Sequence, residues 1–190
     1  VSVVEKDMQA LGFTVTRHPM AGRGDALECV YGDGEDTLLL IGHMDTVFAR
    51  EGNQPFAVDG DRLTGSGVMD MKGGVLIMQA ALAEVLPTMP KRMRVVAILS
   101  ADEEIGSEGC SEVITKWAKQ AFACLSFEPM RPGNTLVRQR KGVTAFQIAC
   151  TGIRGHAGAN YLKCASAIQQ LCAVVNELYM LRDDEKLLSI

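Results

Sequence analysis

Three stretches of this chain are apolar without interruption, and each stops at groups that bind protons or metal ions. "LLLIGHMD" ends in His43 and Asp45, "VVAILSADEE" in Asp102, Glu103 and Glu104, and "ACLSFEP" in Glu128. A strand that is apolar on both faces must be covered on both, the condition of parallel strands flanked by helices. The chain supplies those helices between the strands. Residues 72–86 are apolar almost all round, which predicts a buried helix, and residues 111–119 predict another. The implied fold class is α/β, a mainly parallel sheet with helices on both faces. In such sheets ligands gather outside the carboxyl ends of the strands.

The other segments fit around this frame. A helix is expected over residues 3–11, with strands over 13–17 and 26–31 around a glycine-rich turn. "YGDGED" reads as a turn, and "FAVDGDRLTG" as a hairpin about Asp59-Gly60. Character changes near Arg140. "VTAFQIACTG" alternates like a strand with one exposed face, and Ile168, Leu171, Cys172, Val175 and Leu178 give residues 165–181 a helical spacing. The expected organisation is a domain over 1–139 and the opening of a smaller α+β domain over 140–190.

Composition removes some function classes. A net charge of −4 over 190 residues, with 22% charged, offers no basic face for nucleic acid. The longest apolar run is far short of the roughly 20 residues of a membrane span. No secretory leader is visible at the start, and "VSVVEKDMQALGF" reads as the middle of a helix. Six cysteines without a CxxC pair read as reduced core thiols in a cytoplasmic protein.

The strand ends therefore bring one imidazole and several carboxylates to one rim. "GSGVMDMKGG" adds Asp70, set between glycine-rich flanks that permit close backbone approach. Crowded carboxylates repel unless a cation sits among them. Imidazole and carboxylate donors without thiolate suit zinc, with manganese or cobalt as substitutes. More ligands than one tetrahedral ion requires point to two metals sharing a carboxylate. No GxSxG elbow, GxxxxGK[ST] loop or HExxH helix is present, and "GSG" at 65–67 lacks the third glycine of a dinucleotide fingerprint.

With "GHMDTVF", "GSGVMDMKGG", "ADEEIGSEG", "SFEP" and "GIRGHAG" in this order, the chain resembles the di-zinc metallopeptidases that include carboxypeptidase G (a glutamate carboxypeptidase), acetylornithine deacetylase, succinyl-diaminopimelate desuccinylase and peptidase T. The resemblance implies a zinc-dependent hydrolase of amide bonds acting on a small peptide or N-acyl amino acid. "LSFEP" and "RKGV" lean toward the glutamate carboxypeptidase branch, with an N-acyl amino acid deacylase as the alternative. It implies that His43 and Glu128 ligate one zinc, that Asp70 bridges two and that Glu104 ligates the second. Asp45 orients His43, and Glu103 is the general base. His156 would stabilise an oxyanion in the partner subunit of a homodimer formed through the smaller domain. Gly155 stands where the family usually has serine. His18 is expected to be structural.

The resemblance covers about the first half of such a protein. The family's closing zinc-ligating histidine has no counterpart among the three histidines here. A chain ending at Ile190 is therefore expected to lack activity by itself and to aggregate or lean on partners. It would hold nearer one zinc than two, and expose apolar surface near residues 95–99 or 37–41. A non-catalytic metal-binding or dimerisation relative is the contrasting reading, and Glu103 favours the enzyme because a structural metal site needs no base.

Overall fold

The computed structural model describes residues 1–140, 142, 145–156 and 158–183. The chain divides into two compact units, Val1–Val137 and Arg138–Ile190.

The first unit is built on a five-stranded sheet. Its strands are β1 (Thr14–His18), β2 (Ala26–Tyr31), β3 (Asp36–His43), β6 (Met93–Ser100) and β7 (Ala121–Ser126), in the spatial order β1-β2-β6-β3-β7. β4 (Ala57–Asp59) and β5 (Arg62–Thr64) form the separate hairpin expected around Asp59-Gly60, with Gly60 at φ +60°. The sheet is mixed. β6, β3 and β7 run parallel, while β1 and β2 join antiparallel on the β6 side.

Side-chain alternation sorts the core into two layers. Leu38, Leu40, Val95, Ala97 and Leu99 face the layer that holds Met8 of α1 (Ser2–Ala10) and Val75, Met78 and Leu82 of α2 (Gly73–Val85). Leu39, Val96 and Ile98 face the opposite way, toward Cys110 and Trp117 of the segment around α3 (Ser111–Ala118). β3 and β6 are thus apolar on both sides because a helix covers each side.

Connectivity opens a crevice at the rim. From β3 the chain passes through α2 to β6, and from β6 through α3 to β7, which lies across β3. These two connections cover opposite faces, so the loops after β3 and β6 part at the carboxyl ends of the strands.

Several expectations need correction. α2 is not buried all round: Val75, Met78 and Leu82 pack on the sheet, while Leu76 and Ile77 are exposed, because its outer face meets no other layer among the described residues. Val95–Leu99 and Leu39–Leu40 are buried rather than exposed, since β6 and β3 are interior strands. Exposed apolar side chains lie instead on β7, an edge strand, at Phe122 and Leu125. Only Cys29 and Cys110 are core thiols, pushed up by burial to about 12 and about 11 respectively; Cys124 and Cys172 are exposed. No described helix is long and apolar enough to cross a membrane.

The second unit contains α4 (Ala167–Tyr179), started by Ser166, whose hydroxyl accepts from the Gln169 N–H at 3.2 Å. Its apolar positions Ile168, Leu171 and Val175 are exposed. The strand expected over 143–152 is absent from residues 145–152, which have no ladder partner among the described residues; 143 and 144 lie outside them. The only pairing described nearby is an isolated bridge between Ile153 and Ala165.

One buried polar cluster ties β2 to α3. Glu28 accepts from Trp117 Nε1 at 2.5 Å and Lys116 Nζ at 2.9 Å, and His18 Nε2 lies 2.7 Å away. His18 is therefore structural, as expected. Burial alone would raise the Glu28 carboxyl, but the Lys116, Trp117 and His18 hydrogen bonds outweigh it and hold the group below its ordinary value. A lowered carboxylate stabilises the fold above its unfolded pKa, and that stability is lost as pH falls through the folded value. Glu28→Gln should cost about 1–3 kcal/mol near neutral pH. The deficit relative to the unmutated chain should shrink on acidification. Urea unfolding between pH 7 and pH 3 tests this, and a pH-independent difference would contradict it.

Candidate metal centre

The sheet register brings the expected groups level with one another. His43 is the last residue of β3 and pairs with Ser100, the last of β6. Ile41 pairs with Ser126, the last of β7, and the Phe127 N–H donates to the Ile41 carbonyl at 3.2 Å. Glu128, two residues past Ser126, therefore reaches the level of His43. Asp102, Glu103 and Glu104 follow β6 on the other side.

Asp70 arrives from a different element, the irregular turn Val68–Lys72 that precedes α2. Two glycines allow this approach. Gly67 adopts φ +70°, and a side chain on Gly74 would stand 2.0 Å from the Phe127 carbonyl oxygen. Only glycine lets α2 start against the backbone that leads to Glu128.

His43 is 1% exposed. Its Nε2 lies 3.1 Å from Asp70 Oδ1, 3.7 Å from Glu128 Oε1 and 3.9 Å from Glu103 Oε2. Behind the ring, Nδ1 lies 3.2 Å from the Asp45 carbonyl and 3.3 Å from its Oδ1. The backbone N–H of His43 donates to the sulfur of Met71 at 3.1 Å. Asp45 has a second contact, its Oδ2 accepting from the Glu104 N–H at 3.1 Å.

Ligand atoms gather in two groups that share His43. One is His43, Asp70 and Glu104; the other is His43, Glu103 and Glu128; within each the donor atoms lie within 4.8 Å of one another. Asp70 and Glu128 are thus near His43, as expected, and Asp45 is behind it. Glu103 and Glu104 both reach the cluster, so distance alone does not divide base from ligand. His156 belongs to the second unit. Its Nδ1 accepts from the Gly158 and Ala159 N–H groups at 3.1 and 3.2 Å, and Ala157 between lies outside the described residues.

The electrostatics favour a cation here. Burial alone would lower the His43 imidazole; the Asp70 hydrogen bond and the charges of Glu128, Asp45 and Glu103 outweigh it and raise it above its ordinary value. Glu128 is raised chiefly by burial, and further by the charges of Asp70 and Glu103, with His43 acting in the other direction. One neutral-capable imidazole and four converging carboxylates are a donor set for a zinc-like divalent ion. A cation among them would relieve the repulsion.

The sequence pattern of peptidase family M20/M25/M40 matches residues 39–181. The chain belongs to this family. It is 37% identical over 163 residues to carboxypeptidase G2 of Pseudomonas sp. (strain RS-16), a match covering 82% of this chain and 39% of that protein. It is 30% identical over 186 residues to succinyl-diaminopimelate desuccinylase of Gluconobacter oxydans (strain 621H), covering 90% of this chain and 48% of that one. The chain thus spans less than half the length of these relatives. In fold it is similar to the aminopeptidase PepT of Bacillus cereus ATCC 10987, with a TM-score of 0.65 and 19% identity over 92% of this chain and 49% of that one.

Two contacts of this M20/M25/M40 chain were not foreseen from sequence: the Met71 sulfur under the His43 N–H, and the second oxygen of Asp45 on Glu104. Met71 carries no signal beyond following Asp70. Asp45 does, since the HxD spacing already sets it beside His43. Because Asp45 touches both His43 and Glu104, Asp45→Ala should weaken Co²⁺ or Zn²⁺ binding by about 10–100-fold. Calorimetric titration tests it, and unchanged affinity would show that the ring is held by other contacts.

Proposed function

We propose that the native protein is a metal-dependent hydrolase of amide bonds with a small peptide or N-acyl amino acid as substrate. The observation that carries this is the buried His43, with Asp45 behind its ring and Asp70, Glu128 and Glu103 before it. His43 and Glu128 would hold one zinc ion, Asp70 would be shared, and Glu104 would hold the second; cobalt or manganese could substitute. When bound, the ions lower the pKa of a water and polarise the scissile carbonyl.

The chain's own groups do the rest. Asp45 keeps the His43 ring oriented through Nδ1. Glu103 takes the proton from the attacking water and returns it to the leaving amine. His156 accepts backbone N–H groups at Nδ1, which leaves Nε2 as the N–H donor of the neutral ring, the atom an oxyanion requires. We assign His156 to the site of a second copy, with Arg138–Ile190 as the start of a dimerisation or lid domain.

Release of a carboxy-terminal residue such as glutamate is the leading version, supported by the 37% identity to carboxypeptidase G2. An N-acyl amino acid deacylase is the second, supported by the 30% identity to a desuccinylase. Six unpaired cysteines support a reducing, cytoplasmic setting.

In the native full-length protein, Glu103→Gln should reduce turnover by about 10²–10⁴-fold while metal content is kept. Near-full turnover would remove Glu103 from the mechanism, and loss of metal instead would exchange its role with that of Glu104. Mixing His156→Ala and Glu103→Gln proteins after subunit exchange should restore part of the activity, since one site of each heterodimer then keeps both residues. No restoration despite demonstrated exchange would return His156 to a loop role.

A further inference from the structure

The loop between β6 and α3 carries both Glu103 and Glu104, yet neither carboxylate is held by a described hydrogen bond. Besides the Gly106 N–H on the Glu103 carbonyl and the Cys110 N–H on the Ser107 carbonyl, the loop is held from behind by Asp102. Asp102 is 2% exposed. Its carbonyl accepts from the Ile105 N–H at 3.4 Å and the Ser107 N–H at 2.8 Å. Its side-chain Oδ2 accepts from the Gly109 N–H at 2.7 Å. Three amides from the middle and far end of the loop thus converge on the residue before Glu103.

The loop needs such a tie. Gly106 and Ser107 both have positive φ, +102° and +54°, and a serine leaves its preferred backbone region there at a cost. Asp102 itself is an expensive tie. Its Oδ1 is buried without a hydrogen-bond partner among the described residues. A buried, half-satisfied carboxylate works against stability unless its geometry serves something else.

We propose that Asp102 is a positioning residue for the metal centre: its side-chain bond to the Gly109 N–H closes the loop, beside the backbone bonds from Ser107 and Ile105, and so fixes where Glu103 and Glu104 stand relative to His43. The other end of the same arrangement is the Glu104 N–H on Asp45 Oδ2. The pair is then held between a clamp behind it and the residue that orients His43. This rests on the reading of Glu103 and Glu104 as parts of a metal centre, and it predicts an effect on metal that passes through neither ligand's own chemistry.

Co²⁺ titration of the native full-length protein, followed by its visible absorption, separates positioning from bulk stability. Asp102→Ala should weaken Co²⁺ binding by about tenfold or more and alter the absorption band, because the ligand set is displaced. Asp102→Asn keeps an oxygen for the Gly109 N–H and should bind within about threefold of the unmutated protein. Glu28→Gln, which loosens the β2–α3 contact away from the site, serves as the stability control and should leave Co²⁺ affinity unchanged. Should Asp102→Ala fail to fold, Asp102→Ser, whose shorter side chain cannot span to Gly109, carries the same comparison. Unchanged affinity in the Ala or Ser variant, no rescue by Asn, or an equal loss in Glu28→Gln would each overturn the proposal. An unmutated protein that binds Co²⁺ but hydrolyses nothing would sink the hydrolase reading and leave this result standing. One that binds no Co²⁺ would overturn both.

Discussion

Carboxylates of Asp45, Asp70, Glu103, Glu104 and Glu128 stand around a single imidazole that is almost wholly buried. Two like charges about 4 Å apart near a protein surface repel by on the order of 4 kcal/mol. Whole domains are stable by only about 5–15 kcal/mol. A rim of this kind therefore has to be held by structure that does not depend on it, and its charge has to be balanced. The upward shifts of His43 and Glu128 follow from that crowding: neighbouring carboxylates favour the charged imidazole, while burial and like charges disfavour the charged Glu128 carboxylate.

The sheet meets the first requirement. β3 lies between two parallel neighbours, and both its faces are covered, by α2 with α1 on one side and α3 on the other. Its last residue is held in the ladder to β6, and the ladder to β7 reaches Ile41, two residues before it. The neighbouring strands end in register with it, so Glu128 and the Asp102–Glu104 loop are delivered by backbone pairing rather than by side-chain reach. Asp70 needs a close approach instead, and Gly74 permits it by letting α2 begin against the Phe127 carbonyl.

The parts legible in the sequence were those that repeat a pattern. Continuous apolar runs marked β3, β6 and β7, and polar residues at their ends marked the rim. The exposed side of α2 was not legible, because composition reports how apolar a helix is and not whether a second layer covers it. The strand expected over 143–152 failed for a related reason: alternation describes a strand that has a partner, and residues 145–152 have none described. The tie at Asp102 was hidden more deeply. In "ADEE" three acids look alike, and only the fold shows that the first turns inward to Gly109 while the next two face His43.

The HxD spacing now has a physical meaning. Asp45 lies two residues past the end of β3 and sets both its carbonyl and its carboxylate against Nδ1 of His43. Its remaining oxygen is then free to take the Glu104 N–H from the loop after β6. One short acid thereby links the end of β3 to the loop from its neighbour. The ring's hydrogen bond goes to the Asp45 carbonyl, and Oδ1 beside it is buried without a hydrogen-bond partner among the described residues, so the carboxylate acts on the ring by its charge. The same economy explains why the apolar run stops where it does: His43 must be the last buried residue of β3 so that its far nitrogen faces the rim, and Asp45 must follow at the first position where the chain can turn back to hold it.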